Sequence, residues 1–250
     1  MQFIVSYELL TNREIPVITC CPENAEQCPI VFLNHGTTNN AESCMGMATK
    51  LASQGVFCVC IDALWHGRRS DGKLDEYLET PVYKKNYLHL LLTAADDISA
   101  LLDFYENDPR VDTTRVGVTG ISQGGYISFM SVTKEPRITV AAPIIGSPDL
   151  TDKYGNSPDF DTIEPDVQAA VKKHNPLNNY ENIPPTALFI QCGDADDIVP
   201  VTGPRRLHEK LKPLYEKHPD DYCYVEYPGY GHYAAPEFQQ RAVDFLLAKL

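Results

Sequence analysis

The run Arg115-Val116-Gly117-Val118-Thr119-Gly120-Ile121-Ser122-Gln123-Gly124-Gly125 decides how this 250-residue chain is read. Its first half is a short β-branched apolar stretch, and Gly124 to Val132 has helical spacing. A serine with a glycine two residues away on each side therefore sits where a strand turns into a helix. Such a turn leaves room only for small residues beside the serine and pushes its hydroxyl into a cleft. It also aims the amino end of the helix at the serine, where the helix dipole favours negative charge. In an arbitrary loop G-x-S-x-G says little; between these two elements it points to a nucleophile.

On either side of this junction short β-rich runs alternate with helical patterns. Phe3 to Leu9 and Glu14 to Cys21 read as two strands joined by Thr11-Asn12-Arg13. Pro29 to Leu33 and Val56 to Ile61 are wholly apolar, as strands buried on both faces of a sheet are. Between them Ala41 to Ser53 carries helical spacing and stops at Gly55. A long amphipathic helix is predicted over Tyr87 to Tyr105. Downstream, strands at Thr139–Ile145, Thr186–Cys192 and Tyr222–Tyr227 are separated by helical patterns, with helices predicted over Val201–Tyr215 and Pro236–Leu250. This alternation predicts an α/β fold: a mostly parallel eight-stranded sheet with helices on both faces, in a single domain over residues 1–250. Asp149 to Pro185 breaks the rhythm with five prolines and one weak helix (Glu164 to Lys173), and is expected to form a small cap.

With 34 acidic and 21 basic side chains the net charge is −13, which argues against nucleic-acid or anionic-membrane partners. The paired basic residues, Lys84-Lys85 among them, read as solvated patches. The start of the chain lacks a basic stretch followed by an apolar run, and no apolar run reaches the roughly 18 residues that span a bilayer. A cytoplasmic location is therefore expected. The eight cysteines contain no C-x-x-C pair, and Cys58, Cys60 and Cys192 lie inside apolar runs as small core residues. No metal cluster, phosphate loop or dinucleotide fingerprint appears, so neither metal nor cofactor is expected.

A serine hydroxyl needs a base to take its proton and an acid to orient that base. In this kind of fold the partners follow in the order serine, acid, histidine. Of seven histidines, His232 is set apart by small neighbours, a loop position after the last strand and its place last in that order. For the acid, Asp194, Asp196 and Asp197 follow the seventh strand and Asp149 follows the sixth, and position alone leaves them open.

Asn34-His35-Gly36 after the third strand, Asp62-Ala63-Leu64-Trp65-His66-Gly67 after the fourth, the turn at Ser122, the G-x-x-D-x-x-V-P run from Gly193, and Gly231-His232 carry a resemblance. Over nearly its whole length the chain resembles the α/β-hydrolase family. It is most similar to the branch shared by small bacterial-type esterases, cinnamoyl esterases and prolyl-oligopeptidase-like catalytic domains. It is also similar to dienelactone hydrolases, which carry a cysteine where this chain has Ser122. The resemblance implies Asp196 as the acid, and an oxyanion hole from the backbone N–H groups of Thr37 and Gln123. It implies that Asp62 and His66 pin their loop, and that Trp65, on the same loop, can line the substrate pocket. The activity implied is that of a serine carboxylesterase acting on small-molecule esters through an acyl-enzyme. An aminopeptidase-like or acyl-peptide hydrolase and a non-catalytic ligand-binding protein are the alternatives.

Overall fold

Residues 2–10, 13–79, 82–152 and 157–250 are described by the structure, a computed structural model. Strands β1 (Phe3–Leu10), β2 (Ile15–Pro22), β3 (Cys28–Asn34), β4 (Phe57–Ile61), β5 (Val111–Ile121), β6 (Val140–Ile144), β7 (Ala187–Gly193) and β8 (Tyr222–Tyr227) build one sheet. Their order across it is β1-β2-β4-β3-β5-β6-β7-β8. The six strands β3 to β8 are parallel, and β1 and β2 extend the β4 edge antiparallel. The helices are α1 (Met45–Ala52), α2 (Leu74–Tyr77), α3 (Tyr83–Tyr105), α4 (Gln123–Lys134), α5 (Pro165–His174), α6 (Thr202–Leu211) and α7 (Pro236–Lys249).

The wholly apolar strands have a simple cause. Successive side chains point to opposite faces, and here both faces are covered. Ile30, Phe32, Phe57 and Val59 join a core with α3, α4, α5 and α6, whereas Val31, Leu33, Cys58 and Cys60 join a second core with α1 and α7. Burial pushes the Cys58 thiol well above the usual range, a hydrogen bond with Cys44 and then burial do the same for Cys60, and all eight cysteines are free. Seven of them are buried and fill core volume, and Cys223 packs half-buried beside it.

Four differences from the sequence reading have physical reasons. Strand β5 starts at Val111, before a break in register: Pro29 pairs with Asp112 and Ile30 with Val116. The polar residues in that irregular stretch hid the strand's beginning. Helix α3 begins at Tyr83, and Lys84 is buried rather than solvated. Its Nζ donates to the carbonyl oxygens of Leu150 (3.1 Å) and Asp152 (2.6 Å), and burial lowers the amine to about 8. Helix α6 ends at Leu211 and a 3-10 turn, Lys212–Tyr215, completes the stretch, because Pro213 has no N–H to continue the ladder. The single turn α2 carried no recognisable period.

Thr11 and Asn12, expected in the first hairpin, and residues 153–156 of the expected cap lie outside the described residues. In the described part of 149–185, Leu150 N–H donates to Asn175 Oδ1 (2.9 Å). Ile163, Val167, Val171, Leu177 and Ile183 enter the core beside α3. The loops that leave the carboxyl ends of β3, β4, β5, β7 and β8 converge, as ligand-binding loops of open parallel sheets do.

Candidate active site

Ser122 stands alone between β5, which ends at Ile121, and α4, which begins at Gln123. Its backbone is left-handed, φ 57° and ψ −111°, and its N–H donates to the Ile144 carbonyl at 2.9 Å. The two glycines are required by how closely β3 passes. A Cβ on Gly120 would lie 2.5 Å from the Asn34 carbonyl oxygen, and one on Gly124 would fall on that same oxygen. A non-glycine residue in this conformation costs on the order of 1–3 kcal/mol, so the packing around it must hold the strain.

Ser122 Oγ lies 2.8 Å from His232 Nε2, and His232 Nδ1 lies 2.7 Å from Asp196 Oδ2. A carboxylate only accepts hydrogen bonds, so Nδ1 carries the proton and Nε2 is left to accept the serine hydroxyl. The other Asp196 oxygen, Oδ1, accepts the N–H groups of Ile198 (2.9 Å) and Val199 (2.8 Å). With both oxygens engaged, the carboxylate cannot swing away from the ring. The remaining aspartates are committed elsewhere or point outward. Asp149 accepts from Thr151 and Asn175 and pairs with Arg206 at 2.7 Å. Asp194 Oδ1 accepts the Gly229 N–H at 2.7 Å, and Asp197 is exposed.

The loop after β3 is braced by two histidines whose rings lie 4.9 Å apart. His35 Nδ1 donates to the Gly36 carbonyl (2.8 Å), and its Nε2 accepts the Ala63 N–H (3.1 Å). Those roles require the neutral ring, and burial lowers His35 to about 4. His66 Nε2 is 2.7 Å from the Thr37 carbonyl oxygen. Asp62 accepts the N–H groups of Ala41 (2.8 Å) and Arg68 (3.0 Å). Asp62 and His66 thus tie the loop after β4 to the chain carrying Thr37. Thr37 lines the cleft at Ser122, and Gln123 opens the helix behind it. Two features lay beyond sequence reasoning: among the described residues Thr37 Oγ1 and both polar atoms of the fully buried Gln123 amide have no hydrogen-bond partner.

The cleft at Ser122 and His232 encloses about 340 Å³. Besides the residues already named, Ile145, Ile198 and Tyr233 line it. Ile145 does so with φ 45°, unusual for a β-branched residue. No local pattern marks it, whereas Ile198 and Tyr233 could have been found from their closeness to Asp196 and His232. Trp65 is not brought to this cleft; its ring packs on Tyr77 (4.5 Å between centroids) and His89 (5.9 Å). Among the described residues no cluster of His, Cys, Asp and Glu is placed to hold a metal ion, and no helix is long and apolar enough to cross a membrane.

Residues 82–249 match the model of the prolyl oligopeptidase family, and residues 2–152 match that of acetyl xylan esterase (AXE1). The chain is 25% identical over 203 residues to YitV of Bacillus subtilis (strain 168), covering 77% of this chain and 78% of that protein. It is 24% identical over 255 residues to Esterase YjfP of Escherichia coli (strain K12), covering 97% and 98%. Its fold is similar to that of TT1662 from Thermus thermophilus, with a TM-score of 0.77 at 20% identity over 97% of each chain. Each family model spans more than half of the sequence, and the two overlap across the serine turn. The chain belongs to the α/β-hydrolase esterase family, in the group that the prolyl oligopeptidase and acetyl xylan esterase models describe.

Proposed function

We propose that this protein is a serine carboxylesterase that cleaves small carboxylic esters through an acyl-enzyme. The observation that carries this reading is the unbroken line from Ser122 Oγ through His232 to Asp196, with contacts of 2.8 and 2.7 Å. In the mechanism, Ser122 Oγ attacks the ester carbonyl carbon as its proton passes to His232 Nε2. The oxyanion that forms accepts hydrogen bonds from the backbone N–H groups of Thr37 and Gln123, preorganised donors that favour the tetrahedral intermediate. Asp196 keeps the proton on Nδ1 and stabilises the imidazolium. His232 then gives its proton to the departing alcohol. Water, deprotonated by His232, attacks the acyl-serine, and His232 returns that proton to Ser122 Oγ as the acid is released.

The test is Ser122→Ala together with labelling by a fluorophosphonate. Turnover of p-nitrophenyl acetate should fall on the order of 10⁴- to 10⁶-fold, and the label should map to Ser122. An active, labelled enzyme with Ser122 unmodified would end the assignment.

A peptidase reading draws support from the match of residues 82–249 to the prolyl oligopeptidase family. It expects aminoacyl anilides to be turned over faster than p-nitrophenyl acetate; the esterase reading expects the reverse. Within the proposal, residues 149–185 are the cap of a single catalytic domain; what supports it is that the segment leaves the sheet just after Ile145, which lines the cleft. A cytoplasmic site of action is supported by the eight free cysteines, since thiols persist in reducing compartments.

A further inference from the structure

We infer that Tyr233 and Ile198 form a subsite for the alcohol half of the ester, and that it selects uncharged alcohols with a flat apolar face, such as aryl-methyl alcohols. This inference rests on the esterase reading above. His232 Nε2 must hand its proton to the leaving oxygen, so that oxygen has to come within roughly 3 Å of Nε2. The carbon skeleton attached to it then runs past the residues that flank His232 and Asp196.

Those residues are displayed rather than buried. Tyr233 is 61% exposed and Ile198 40% exposed, and of the exposed large apolar side chains among the described residues these two alone line the cleft. Both are held by their backbones. Ile198 N–H donates to the Asp196 carboxylate at 2.9 Å. Tyr233 N–H donates to the Gly231 carbonyl (2.8 Å), and its own carbonyl accepts the Ala235 N–H (3.1 Å). The backbones that carry an aromatic ring and a branched aliphatic chain are thus fixed, one residue from the base and two from its acid. Apolar surface left in water beside a reacting group gains when a ligand covers it. The lining residues include no Asp, Glu, Lys or Arg. A charged alcohol would therefore lose hydration on entry with no ion pair to replace it, and the water-exposed Tyr233 ring offers a cation only a weak, screened cation–π contact.

Benzyl and ethyl acetate separate this subsite from the chemistry, because they share an acyl group and their alcohols are of similar acidity. The unaltered enzyme should favour benzyl acetate by roughly tenfold or more in kcat/KM. Tyr233→Ala and Ile198→Ala should each lower that ratio by roughly threefold or more, with the loss concentrated in KM, while the ethyl acetate to ethyl butyrate ratio stays within about twofold. The uncharged 3,3-dimethylbutyl acetate should outpace its charged isostere, acetylcholine. Both positions are exposed, and circular dichroism verifies that the variants fold. The inference is overturned if the benzyl-to-ethyl ratio is unmoved in both variants, if the acyl ratio moves as far, or if acetylcholine is the better substrate. Loss of the esterase reading looks different: no ester is turned over and Ser122 takes no label.

Discussion

Replacing Asp196 with asparagine keeps the shape of the side chain and, from the geometry around it, reverses the proton on His232. Oδ1 of Asp196 faces two N–H donors, those of Ile198 and Val199, and Oδ2 faces His232 Nδ1. An asparagine carries one acceptor and one donor group, so it must choose. Turning its NH₂ toward Ile198 and Val199 would strand one buried and one partly buried donor, at about 1–3 kcal/mol each. Even the lower sum, about 2 kcal/mol, disfavours that orientation roughly thirtyfold. The amide oxygen therefore stays on the backbone, and the NH₂ meets Nδ1. Nδ1 must then accept, the proton moves to Nε2, and Nε2 can no longer take the hydrogen of Ser122. The loss of a correct tautomer in a serine–histidine–aspartate site is on the order of 10⁴-fold in kcat, or about 5 kcal/mol of barrier. The assay is p-nitrophenyl acetate turnover for Asp196→Asn beside Asp149→Asn, Asp194→Asn and Asp197→Asn, with thermal unfolding of each. The three controls should lose less than tenfold, because none of their carboxylates meets His232. A loss below tenfold at Asp196, or a larger loss at any control, would refute the reasoning.

Two further expectations concern stability. Gln123→Met should raise it by about 1 kcal/mol, roughly 2–4 °C in melting temperature, because it removes a buried amide that has no partner among the described residues. Destabilisation in calorimetry would show that the amide is satisfied. Glu135 is forked by Arg137, with Nε and Nη2 each 2.8 Å from a carboxylate oxygen, and this hydrogen bonding lowers its pKa from the usual 4.5 to about 2. The unfolded chain then binds more protons between those two values, so the contribution is full above about pH 4.5 and fades as pH falls through about 2. Arg137 is partly exposed, which holds the effect to the order of 1–2 kcal/mol. Glu135→Gln should flatten the acid limb of a urea-unfolding series across that window; an unchanged limb would show that other carboxylates set it.

Much of this protein is legible along the chain because its signals are local. Two-face burial makes β3 and β4 continuous apolar runs, and helical spacing is visible in α1, α3 and α7 before any contact is known. The serine turn is equally local: Gly120, Ser122 and Gly124 announce a strand that becomes a helix within one residue. The rest depends on distances that no local pattern encodes. Ser122 and His232 are 110 residues apart, and His232 and Asp196 are 36 apart. Asp194, Asp196 and Asp197 are alike as sequence, and only a family resemblance ranked them. What separates them is the pairing of β7 with β8, which sets Gly193 opposite Tyr227 and brings the Ala195 N–H onto the Tyr230 carbonyl at 3.1 Å. That pairing turns one of the three carboxylates to the imidazole. Lys84 shows the same limit, because a basic pair reads as a wet surface until residues 150–152 fold over it. Trp65 shows it too: its loop is tied to the Thr37 carbonyl through His66, but its ring is claimed by Tyr77 and His89 from neighbouring segments. Periodicity fixes which way a side chain faces on its own element, and only the packing of elements fixes what it faces.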